Sequence, residues 1–164
     1  MRKSLLVLPF VFGAAAAHAE PSEFANLAGQ RLIELAGDVS ELNAYAQAHV
    51  LQEGPLCLKT GVALPKAEAL AKIYNDAYAR QLIHGSGDPS PITAGETRSM
   101  GRTMNRLQTI MSYCAMTDQM RAVAGPARMQ LLVNDVKNAA RVASAELEVM
   151  VFAFPSAPGS YPTN

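Results

Sequence analysis

The chain has 164 residues, 14 basic and 14 acidic side chains, two cysteines, no tryptophan and 49% hydrophobic residues. That length accommodates one domain with a real core, and two ordinary domains would not fit. A formal charge of zero supplies no long-range attraction to nucleic acid or to an anionic membrane, which excludes partners captured by bulk electrostatics.

The first 19 residues read as a secretion signal. Arg2 and Lys3 precede an apolar run from Leu5 to Ala17, and the small-residue exit Ala17-His18-Ala19 stands before Glu20. Cleavage after Ala19 is expected, with a periplasmic or secreted product of formal charge −2, because Arg2 and Lys3 leave with the leader. The apolar run is shorter than the roughly 20 residues that span a bilayer, so no membrane insertion is expected once it is removed. No Cys follows Ala19 to receive a lipid. The spacing predicts a helical domain over 20–154 and a disordered Pro-rich tail over 155–164.

Within that domain, Ala28, Leu32, Leu35, Val39, Leu42 and Ala46 recur at steps of four and three, which stacks them on one face of a helix over 22–52. Gly37 interrupts the run without changing its phase. Gly54-Pro55 is expected to end this helix, and a linker carrying Cys57, Leu56, Leu58 and Val62 is expected to reach Leu64. Pro65 suits the first position of a second, shorter helix with the stripe Leu70, Ile73, Tyr74 and Ala77, closed by His84-Gly85. Thr93-x-x-Glu96 reads as a capping box that opens a third helix, lined by Met100, Met104, Leu107, Met111 and Cys114 and running to Gly125. Pro126 opens a fourth helix, with Met129, Leu132, Val136, Ala140, Ala143, Leu147 and Met150 on one side and a stop before Pro155.

Four amphipathic helices with short to moderate connections point to an all-α fold, an antiparallel up-down-up-down four-helix bundle. Two cysteines in an exported chain point to one disulfide, Cys57–Cys114, with the linker pinned over the third helix.

Chemistry-bearing patterns are sparse. His84, Ser86 and Asp88 hold the side-chain types of a hydrolytic triad but share one turn, whereas a working triad is held by separate rigid elements. No nucleophile elbow, zinc-ligand spacing or haem-attachment motif occurs, so no catalytic residue, resident metal or cofactor is assigned. Surfaces are more informative. Arg98, Arg102 and Arg106 form a basic ridge on the third helix, and Glu34, Asp38 and Glu41 an acidic one on the first. Met116 and Met120 point away from the helix-three seam and need a cover, from the linker or from a partner. The end of helix four is apolar nearly all round, with Phe24 and Ile92 as its expected wrapping.

These features describe an exported helical protein that acts by protein–protein binding: an adaptor, inhibitor, immunity factor or chaperone-like module. Its partner would be another envelope protein or a second copy of itself, the two ridges meeting between chains. The alternative is a bundle binding haem or copper for electron transfer or metal handling, with His49, His84, Met116 and Met120 as the available ligands.

Overall fold

The computed structural model describes residues 21–84 and 93–153, with the side chains of 21–26 and 80–84 left aside. The leader 1–19, the turn with Ser86 and Asp88, the side chains of Phe24, His84 and Ile92, and the tail 155–164 lie outside the described residues. Four helices make up the fold: α1 (Pro21–Gln47), α2 (Glu53–His84), α3 (Ala94–Cys114) and α4 (Asp118–Ala153). No strand occurs among the described residues. None of their helices is long and apolar enough to cross a membrane.

In α1 the predicted seam is the buried one: Ala28, Leu32, Leu35, Val39, Leu42 and Ala46 are all excluded from solvent. Gly37 stays within the helix. Burial of three leucines and a valine stabilises the fold by about 1.5–3 kcal/mol each, several times what one interior glycine costs.

α2 differs from the sequence expectation. The stretch expected to be a linker, 54–64, is helical, so α2 starts at Glu53, runs for 32 residues and is longer than α1 or α3. Gly54-Pro55 opens this helix and does not end α1, because a proline in a first turn lacks only an N–H that has no intrahelical partner there. Pro65 is therefore interior. Its helix continues because Leu56, Thr60, Ala63 and Ala67 are buried around it.

α3 opens with the predicted capping box. Glu96 N–H donates to the Thr93 hydroxyl at 3.1 Å, and Thr93 N–H donates to the Glu96 carboxylate at 2.6 Å. The helix ends earlier than expected, at Cys114, where the Ala115 N–H closes onto the Met111 carbonyl. Thr117 then starts α4, its hydroxyl accepting from the Met120 N–H at 3.3 Å and its carbonyl from Arg121. The buried line of α3 is Met100, Thr103, Leu107, Ile110 and Tyr113, with Met104 and Met111 on its flank. The seam is thus rotated from the predicted one.

α4 breaks where Gly125-Pro126 foretold. Gly125 has φ 74° and ψ 167°, a left-sided conformation that only glycine adopts cheaply, and Pro126 begins the next run. Residues 118–124 belong to α4, not to α3.

Helices pack α1–α2, α2–α3, α3–α4 and α1–α4, which leaves α1 and α3 diagonal. Specific ties join three of these pairs. Cys57 early in α2 meets Cys114 late in α3, Arg102 and Arg106 early in α3 meet Glu146 late in α4, and Gln47 at the end of α1 reaches the Lys137 carbonyl at 2.8 Å. The disulfide has a Cα–Cα separation of 5.5 Å. It arises because α2 itself starts beside the end of α3, and no linker has to descend.

Candidate binding surface

Four residues of the two charged ridges, Asp38, Glu41, Arg102 and Arg106, pair with neighbouring helices of the same chain. Lys59 Nζ lies 3.2 Å from Asp38 and 2.7 Å from Glu41, and Lys66 Nζ lies 2.6 Å from Asp38. Burial pushes the Asp38 carboxyl up, but hydrogen bonds from Lys66 and Lys59 outweigh it and hold the group below its ordinary range. Glu41 first, then Asp38, hold the Lys59 ammonium above its ordinary value. Glu34 is exposed.

On the other side, Arg102 Nε donates to Glu146 at 2.9 Å, and Arg106 and the buried Thr103 hydroxyl donate to its second oxygen. Arg98 spends its Nε–H on the Ala94 carbonyl. The ridges thus fasten α1 to α2 and α3 to α4. Among the described residues Glu34 and Arg98 form no ion pair, and Arg102 and Arg106 share the one carboxylate of Glu146, so part of each ridge's charge still faces solvent; sequence spacing, which placed each ridge on a face, could not supply the opposing side chain on another helix.

A clasp not anticipated from the sequence sits beside the disulfide. The Tyr113 hydroxyl donates to Glu53 Oε1 at 2.5 Å, Arg121 pairs with Glu53 at 2.9 Å, and the Arg121 guanidinium lies 4.7 Å from the Tyr113 ring centroid. Burial, then the hydrogen bond to Glu53, push the Tyr113 phenol above its usual value, so it remains a donor. These contacts join the starts of α2 and α4 to the end of α3. Thr117 before acidic Asp118 was the sequence signal for that helix start.

The first part of α4 runs past the ends of α1 and α3, with Met129, Leu132 and Val133 still packed against the core. Lys137 is level with the end of α1, since its Nζ reaches the Ala48 carbonyl at 3.2 Å. Glu146 is level with residues 102–106 of α3, which places Cys114 near residues 134–138 of α4. At ~1.5 Å per residue, the ten residues 126–135 therefore extend about 15 Å beyond the ends of α1 and α3. Accordingly, the buried residues of α4 begin only at Val136.

Residues 118–124 fold back against this overhang at Gly125, and an open groove of about 580 Å³ lies between the two arms. Met116, Met120, Val123 and Leu132 line it, with Gln119 and Arg128 as its polar members. Met120 is 54% exposed and Val123 83%. Met116 packs partly against the core. The linker expected as cover is helix, and its Leu58 and Val62 are themselves exposed. Arg128 has no ion-pair or hydrogen-bond partner among the described residues.

A second groove, at the other end, is lined by Thr93, Glu96, Arg98, Arg102, Val149 and Met150. Beside it Phe152 is 93% exposed. Its polar groups are already engaged by the capping box and the contacts of Arg98 and Arg102 described above.

Of the proposed haem or copper ligands, His49 is exposed in the turn after α1, and Met116 and Met120 line the overhang groove. Both cysteines are in the disulfide. Among the described residues no three His, Cys, Asp or Glu side chains are placed to hold a metal ion. The buried Tyr74 hydroxyl has no hydrogen-bond partner among the described residues. No family model, curated protein or solved structure matches this chain.

Proposed function

We propose that the protein is exported and works by binding another protein through the overhang of α4. The partner is an amphipathic helix whose apolar stripe lies in the groove and whose acidic side chain meets Arg128. One observation carries this reading: a groove walled by methionine and aliphatic side chains, where α4 runs past the ends of α1 and α3, with an uncompensated cation at its side. Thioether side chains adapt to varied apolar shapes, and a helix laid in an apolar groove is a common recognition mode. Every other arginine on the α3 ridge and in the clasp is engaged within the chain. Export is supported by the leader-like start and by the disulfide, which persists in oxidising compartments.

A photo-crosslinking residue at Val123, in cells making the full chain with its own leader, tests the assignment. One adduct with a different protein is expected, abolished by Met120→Asp, weakened by Arg128→Glu and kept by Arg128→Lys. An adduct of twice the chain's own mass would replace the partner with a second copy. No adduct from Val123, or one indifferent to Met120→Asp, would overturn the site.

A further inference from the structure

The start of α2, residues 53–64, is helical against its own composition. Gly54, Pro55, Thr60, Gly61 and Val62 are weak helix formers. Pro65 has no N–H to donate to the Gly61 carbonyl, so the ladder joining this segment to the rest of α2 lacks a rung. Its fully buried side chains are Leu56, Thr60 and Ala63, with Leu64 partly buried against the core. The Thr60 hydroxyl donates to the Leu56 carbonyl of its own helix at 2.7 Å and so ties it to nothing else. Leu58 and Val62 face solvent.

Three ties remain: the ion pairs of Lys59 to α1, the Glu53 clasp to Tyr113 and Arg121, and the disulfide to α3. The ion pairs are partly exposed and individually weak. The covalent tie is the strong one. Cys57 and Cys114 are both only partly buried.

We propose that Cys57–Cys114 is a redox latch on residues 53–64, opened by a dithiol reductant, which frees this segment about Gly61–Pro65 while the remainder of the bundle stays folded. A reductant thiolate attacks one Sγ, the S–S bond breaks and a mixed disulfide forms. The second reductant thiol then displaces the protein sulfur. Two electrons and two protons pass to the protein, giving Cys57 and Cys114 thiols, and the reductant leaves as a disulfide. Once released, Glu53 parts from Tyr113 and Arg121. The latch and the groove are independent, since release of residues 53–64 requires no partner at α4.

Amide hydrogen exchange on the full chain, oxidised and held in dithiothreitol, tests it. On reduction, amides 56–64 should exchange at least ~100-fold faster, while 100–112 and 136–150 keep their protection. Pro65→Ala, which restores the missing rung, should reduce that acceleration several-fold in the reduced protein. An equal acceleration in all four helices, or complete unfolding, would mean that the bond only destabilises the unfolded chain and would overturn the latch. So would unchanged exchange over 56–64.

Discussion

Replacing Pro65 by alanine should stabilise this protein, although removing a proline usually does the reverse. Pro65 lies twelve residues into α2 and is exposed. In a helix interior a proline is about 3 kcal/mol less favourable than alanine, through the lost hydrogen bond and the clash of its ring with the carbonyl four residues back, here that of Gly61. Two effects reduce the gain. Gly61 is exposed, so water already serves part of its carbonyl, and alanine gives the unfolded chain about 0.4–1 kcal/mol of extra freedom. A net gain of about 2 kcal/mol remains, or roughly 6–8 °C in Tm for a domain of this size. Urea unfolding of the oxidised protein, with unchanged m-value, measures it. If α2 began at Pro65, as its spacing in the sequence predicts, the same change would cost about 0.4–1 kcal/mol. A loss of stability, or no change, would refute a continuous α2.

Gly61→Ala should add about 1 kcal/mol in the same assay, because its new Cβ would meet only the Met111 methyl at 3.8 Å. Tyr74→Phe removes a buried hydroxyl that has no partner among the described residues, so stability should hold or rise by about 1 kcal/mol, and a loss larger than that would reveal a partner. Glu146→Ala strips the acceptor from buried Thr103 as well as from two arginines. It should cost about 1–2 kcal/mol with half-exposed Arg102 contributing little, and Glu146→Gln should recover part of it in matched urea curves.

Asp38 gives a pH dependence. Its folded pKa lies below the ordinary 3.8, so its contribution is complete above that value and is lost as pH falls through the lowered one. The stability difference between wild type and Asp38→Asn should therefore be constant above about pH 5 and shrink in acid. A difference that grew on acidification would contradict the assigned Lys59 and Lys66 partners.

What the sequence determined by itself was the class and the facing of its helices. Six apolar residues at steps of four and three became the buried seam of α1 without exception. The Thr93–Glu96 box opened α3, Gly125-Pro126 broke α4, and the only two cysteines joined. Each of these is a local property, set by helical period, backbone conformation or count. Met120 is exposed, but on α4 and not on the third helix whose seam suggested it, and Met116, expected to point outward with it, packs partly against the core.

Tertiary structure decided the rest. Residues 53–64 are helical because Cys57, Lys59 and Glu53 find partners on α1, α3 and α4 and Leu56 is buried, contacts that outweigh two glycines and a proline. The charged ridges became internal ties because the opposing Lys59, Lys66 and Glu146 stand on adjacent helices. The groove exists because α4 is displaced along its axis relative to α1 and α3. Periodicity sets which side of a helix turns inward and is blind to axial offset, which only packing between distant segments can set.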